Sequence, residues 1–118
     1  MKFYKEKNTN NVISSNKLNN YDENNYILLS ANKTDGALEK HVPVYEIRDD
    51  KIFVQVGSVE HPMTEEHYIM WIAQVNGNEI IKEELKPGMK PSCVFEYIKG
   101  STIYAYCNLH SLWETTVD

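Results

Sequence analysis

Tyr68-Ile69-Met70-Trp71-Ile72-Ala73-Gln74-Val75, running into Asn76-Gly77, is the stretch on which the fold turns. Ile69, Trp71, Ala73 and Val75 alternate with Tyr68, Met70, Ile72 and Gln74, so an extended chain here is largely apolar on both faces. That pattern predicts a strand in the middle of a sheet, covered on each side. Asn-Gly readily adopts the positive φ of a two-residue hairpin, which predicts a tight turn at Asn76-Gly77.

Working outward, runs rich in Val, Ile, Tyr, Phe and Trp recur at 42–48, 51–57, 67–75, 78–85, 92–98, 102–107 and 112–116. They are separated by the turn-formers Asp49-Asp50, Asn76-Gly77, Pro87-Gly88 and Lys99-Gly100. Short strands at this spacing predict an all-β protein, an immunoglobulin-like seven-stranded antiparallel β-sandwich.

Residues 1 to about 38 have a different composition, with asparagine at 8, 10, 11, 16, 19, 20, 24, 25 and 32 and neither histidine nor cysteine. Two apolar patches, Val12-Ile13 and Tyr26-Ile27-Leu28-Leu29, are expected to pair as small strands in a partly ordered leader. The expected division is thus a small strand-containing segment at 1–38 and a main domain at 39–118.

The chain of 118 residues is long enough to bury a core, and it carries a formal net charge of -5. An acidic chain without clustered Lys and Arg disfavours nucleic acid and anionic membranes as partners. The basic residues at Lys2, Lys5 and Lys7 have no long apolar run behind them, so a cytoplasmic, soluble protein is expected.

All four histidines fall in short clusters: Glu39-Lys40-His41, the segment from His61 to His67, and Cys107-Asn108-Leu109-His110. Each cluster lies at a predicted strand end or loop, where side chains from distant segments can converge. Imidazole suits iron, zinc and copper, and a thiolate adds an electron-rich donor, so the set reads as one mononuclear metal site, with iron the redox choice. Cys93 and Cys107 could pair, but a disulfide would consume that thiolate, so Cys107 is expected free and Cys93 a small buried hydrophobe. Trp71 and Trp113 read as core or site-wall residues, and Glu65 and Glu66 as solvated turn residues. Two other classes fit the residue types taken singly. One is a closed zinc tetrahedron of Cys107 and three histidines; the other is a non-enzymatic binding module with incidental histidines.

The joint pattern resembles the superoxide reductase family, the neelaredoxins and desulfoferrodoxins. The resemblance rests on Glu-Lys-His-Val-Pro-Val at 39–44, His-Pro-Met at 61–63, His-Tyr-Ile at 67–69, Leu85-x-Pro87-Gly88, and Tyr-Ala-Tyr-Cys-Asn-Leu-His at 104–110 with Leu112-Trp113 after it. It implies one non-haem iron with His41, His61, His67 and His110 as equatorial ligands and Cys107 as axial ligand, leaving the sixth position open when ferrous. It further implies that Lys40 steers superoxide and positions a proton-delivering water, and that Glu39 closes the oxidised site. The product would be hydrogen peroxide, with the iron re-reduced by a donor such as rubredoxin, and the expected assembly is a homodimer or higher homo-oligomer.

The leader resembles the N-terminal desulforedoxin-like domain of desulfoferrodoxins through Phe3-Tyr4-Lys5 and Asn32-Lys33-Thr34-Asp35-Gly36-Ala37. That domain normally holds a second iron through four cysteines. Residues 1–38 contain none, so a degenerate module and a single iron per chain are expected.

Overall fold

A computed structural model describes residues 1–16 and 20–118; residues 17–19 of the predicted leader, Asn19 among them, lie outside the described residues. The chain divides into two compact units, Met1–Ser30 and Ala31–Asp118. The approach segment from Ala31 therefore belongs with the larger unit, eight residues before the expected start of the main domain. Asn32 explains why. Its N–H donates to the Leu112 carbonyl at 2.9 Å, and its side-chain oxygen accepts the Glu114 N–H at 2.9 Å, stitching the segment to the last strand.

The smaller unit is a three-stranded antiparallel sheet of β1 (Lys2–Glu6), β2 (Val12–Ser15) and β3 (Tyr26–Leu28), in the order β2-β1-β3. The two apolar patches form strands as expected, but they do not pair with each other. Each pairs with β1, with Tyr4 opposite both Ile13 and Leu28. Lys2, Lys5 and Glu6 disguise β1 in the sequence, although Phe3 and Tyr4 are 3% and 2% exposed.

In the larger unit a four-residue helix, α1 (Leu38–His41), leads into seven strands: β4 (Pro43–Arg48), β5 (Lys51–Val56), β6 (Ile69–Asn76), β7 (Glu79–Glu84), β8 (Ser92–Glu96), β9 (Thr102–Cys107) and β10 (Ser111–Thr116). They make two antiparallel sheets, β10-β9-β6-β7 and β4-β5-β8, the layered arrangement of an immunoglobulin-like sandwich. β6 is an inner strand, paired with both β9 and β7.

Its alternation is not strict, however. A register irregularity between Ile69 and Trp71 puts Ile69 and Ile72 in the same buried cluster, which a period of two would have set on opposite faces. The predicted Asn76-Gly77 turn also moves by one residue. Asn76 remains paired with Glu79, so the two-residue loop is Gly77-Asn78, with Gly77 at φ 61° in the first position. Glycine there, with no positive φ at Asn78, follows the preference of the type II′ hairpin. The Asp49-Asp50 loop has φ of 50° and 64°, the double positive φ of a type I′ turn.

The core between the sheets is built by Ile52, Val54, Val56 and Phe95 from one and Ile69, Ile72, Ile103, Ala105 and Cys107 from the other. Each fully buried aliphatic side chain here contributes about 1.5–3 kcal/mol. Cys107 ends the β9 row of this core, so the sulfur sits where the packed interior meets the end of the sandwich.

Candidate metal centre

Three connections deliver the predicted donors to that end. α1 presents His41 just before β4, the crossover from β5 to β6 carries His61 and His67, and β9 ends on Cys107 before a three-residue link to β10 that carries His110. His41, His61, His67 and Cys107 each offer a ligand atom, and these atoms all lie within 4.8 Å of one another. His110 joins them through its Nδ1, which is 3.1 Å from His41 Nε2 and 3.7 Å from Cys107 Sγ.

The four imidazoles form a closed ring. Neighbouring centroids lie 4.6 Å apart for His41–His61, 4.6 Å for His61–His67, 5.0 Å for His67–His110 and 4.7 Å for His110–His41. The His41–His67 diagonal is 6.2 Å. Each neighbouring pair is steeply tilted, between 69° and 80°. The rings thus stand edge-to-face around a near-square, with the buried thiol beside His110.

Second nitrogens fix which atoms point inward. His41 Nδ1 lies 2.8 Å from the Ala37 carbonyl and His61 Nδ1 2.7 Å from the Pro62 carbonyl. A carbonyl only accepts, so each Nδ1 carries the proton and each neutral Nε2 turns a lone pair inward. Those two Nε2 atoms are 3.1 Å apart. Two nitrogens bound at right angles to a metal at about 2.1 Å would be about 3.0 Å apart, whereas a tetrahedral angle would give about 3.4 Å. His67 Nε2 is buried without a hydrogen-bond partner. Facing lone pairs and an orphaned imidazole nitrogen are costly unless a cation lies among them, so the donor set fits a bound metal.

The protonation tendencies agree. Burial pushes His61 down to about 4, against the pull of the Pro62 carbonyl. Burial likewise lowers His41 and His67, and the charge of Lys40 adds a smaller push on both rings. Lys40 is therefore within electrostatic reach of the centre while its side chain stays exposed, as does that of Glu39 beside it. Burial raises the Cys107 thiol, but backbone N–H groups of Leu109 and His110 donate to its sulfur and oppose that rise. Glu65 and Glu66 are exposed at the tip of a turn closed by Thr64 and His67.

Other residues support the donors, Trp113 as the site wall expected of it and Gly57 with no legible signal in the sequence. Trp113, fully buried, stacks on His41 at 4.8 Å and donates from Nε1 to the His110 carbonyl at 2.9 Å, so it braces two rings at once. Gly57 lies under α1, where a Cβ would meet the Glu39 carbonyl oxygen at 2.7 Å and the Lys40 carbonyl carbon at 2.9 Å. Val59 N–H also donates to that Glu39 carbonyl at 2.8 Å, pinning the Glu39-Lys40 backbone. Cys93 and Cys107 are both free thiols.

Fold and donor set together define a β-sandwich protein with a metal-capable group of mixed nitrogen and sulfur donors. Residues 33–116 match the family model described as Desulfoferrodoxin. A desulfoferrodoxin of Clostridium acetobutylicum is 52% identical over 87 residues, covering 74% of this chain and 70% of that one. A superoxide reductase of Thermococcus kodakarensis is 35% identical over 99 residues, covering 67% and 86%. The crystal structure of the superoxide reductase from Treponema pallidum superposes with a TM-score of 0.68 at 35% identity, over 76% of this chain and 77% of that one. The chain belongs to the desulfoferrodoxin family, which these relatives place among the oxidoreductases. Among the described residues no helix is long and apolar enough to cross a membrane.

Proposed function

We propose that this protein is a superoxide reductase, reducing superoxide by one electron, with two protons, to hydrogen peroxide at a single iron held by His41, His61, His67, His110 and Cys107. The observation that carries this reading is the near-square of four imidazoles with the Cys107 sulfur beside it. Bound there, iron would supply the electron and a Lewis-acid position for the anion.

The chain's own residues do the rest. His41 and His61 are locked in the tautomer that points Nε2 inward by the Ala37 and Pro62 carbonyls. Leu109 and His110 amides hold the Cys107 sulfur and moderate its electron donation. Lys40 offers a local positive charge on an otherwise acidic chain, drawing in a small anion and holding water that can pass on a proton. Glu39, next to it in the first turn of α1, covers the oxidised centre. The electron is restored by an external one-electron donor of the rubredoxin kind. A cytoplasmic setting, where thiols stay reduced, suits a centre that depends on free Cys107. The N-terminal unit, without cysteine, serves as a metal-free module.

The zinc alternative has one observation in its favour, since His41, His61, His67 and Cys107 alone make a four-donor group. His110 Nδ1, at 3.1 Å from His41 Nε2, supplies a fifth donor that a closed tetrahedron would leave over. The test is metal analysis with visible spectroscopy of protein from iron-replete cells, followed by pulse radiolysis of the reduced form. Stoichiometric iron, a thiolate charge-transfer band that bleaches on reduction, and rapid superoxide consumption without dioxygen release are expected. Colourless protein with stoichiometric zinc would overturn the reading.

A further inference from the structure

Two of the imidazoles are oriented through their own ring nitrogens, but His67 is not. Its Nε2 has no partner, and among the described residues its hydrogen bonds are backbone contacts to Thr64. What flanks it is held instead by one side chain, 42 and 40 residues further along the sequence than the residues it grips. Asn108 Oδ1 accepts the Tyr68 N–H at 3.0 Å, and Asn108 Nδ2 donates to the Glu66 carbonyl at 3.0 Å. The Asn108 N–H adds a bond to the Tyr68 carbonyl at 3.2 Å. The amide thus grips the residues on both sides of His67 while its own backbone lies in the turn between Cys107 and His110.

We propose that Asn108 is the positioning residue that sets His67 relative to the Cys107–His110 turn, so that the donors of the β5–β6 crossover and of the β9–β10 hairpin close on one point. The amide does both jobs at once from two separate atoms, Oδ1 accepting the Tyr68 N–H and Nδ2 donating to the Glu66 carbonyl. Aspartate keeps the acceptor and loses the donor; alanine loses both. The inference rests on the metal-centre reading above.

The test loads wild type, Asn108→Ala and Asn108→Asp with Co²⁺, records the visible ligand-field bands, and follows metal release to excess chelator. Gln74→Leu serves as a stability control. Gln74 ties β6 to the Glu96 carbonyl at 2.8 Å and to Ser101 Oγ, away from the donors. Outer residues that orient metal ligands typically govern affinity by about 10–100-fold. Asn108→Ala should release metal faster by about that factor and shift the ligand-field bands, while the sulfur charge-transfer band survives. Asn108→Asp should fall between it and wild type, and Gln74→Leu should keep the wild-type spectrum. Wild-type bands and release within twofold in Asn108→Ala would overturn the proposal, as would an identical change in Gln74→Leu. If Asn108→Ala does not fold, Asn108→Asp decides by the same criteria. A wild type that takes up Co²⁺ without a sulfur charge-transfer band would instead sink the metal-centre reading, and this proposal with it.

Discussion

His41 Nε2 and His61 Nε2 face each other at 3.1 Å, each with its proton committed to a backbone carbonyl on the far side of the ring. In the metal-free protein this pair resists protonation because it is buried, and His61 is held down to about 4 from an ordinary 6.5. The unfolded chain binds that proton near 6.5 and the folded chain does not, so the unfolded state carries more protons between these values. Stability from this source is complete above about 6.5 and is lost as pH falls towards 4. Denaturant unfolding of metal-free protein at pH 7 and pH 5 should show the midpoint falling, and His61→Gln should flatten the difference. A midpoint independent of pH in this range would refute the assignment.

Two glycines near the centre should respond differently to alanine. At Gly57 the added Cβ would meet backbone of Glu39 and Lys40 at 2.7 and 2.9 Å, so α1 must shift. Gly57→Ala is expected to cost about 1–3 kcal/mol and to slow the reaction with superoxide by displacing Lys40. At Gly36 the nearest atoms, His41 Cε1 and Trp113 Cζ2, would lie at 3.4 Å, an ordinary contact, and Gly36→Ala should be close to neutral. Thermal melts and superoxide decay rates of the two variants separate the cases.

Lys40→Ala should lower the bimolecular rate with superoxide several-fold and weaken its dependence on ionic strength, since an exposed charge acts through a screened field. An unchanged rate would remove Lys40 from the reaction. Glu39→Ala should leave reduction nearly intact while azide or cyanide gains access to the oxidised protein, which a binding titration would register.

Thiol chemistry gives a further check. Burial, with Glu83 adding to it, pushes Cys93 up to about 12, so this thiol stays protonated at neutral pH. Native protein should react slowly with a disulfide reagent at pH 8 and release one equivalent per cysteine only on unfolding. Cys107→Ser should abolish the sulfur charge-transfer band of the iron-loaded protein; a surviving band would mean that the sulfur ligand is another residue.

The sequence carried the strands of the sandwich well, because Ile52, Val54 and Val56 or Ile103 and Ala105 repeat at the period that a half-buried sheet imposes. The donor candidates were legible because few residue types bind metals and all four histidines sat in clusters. What escaped had no local signature. The irregularity after Ile69 depends on pairing with β9, and β1 hides its buried Phe3-Tyr4 between lysines and a glutamate. Asn108 stood inside the Cys-x-x-His turn and Gly57 closed the predicted run 51–57, with nothing local to mark either as a brace. Their importance comes from backbone segments that approach them only after folding, Glu66–Tyr68 for one and Glu39-Lys40 for the other.

The donors are drawn from three connections widely separated in the chain, and the contact between His41 and His110 alone spans 69 residues. A metal gripped by both would act as a cross-link, closing a long loop in the way a disulfide does and restricting the unfolded ensemble more than a local clip could. The bond would tie α1, ahead of the three-stranded sheet, to the β9–β10 hairpin of the four-stranded one. The same atoms proposed to handle the electron would then also fasten the two layers of the sandwich at one end, so that cofactor loss and the first opening of the fold become one event.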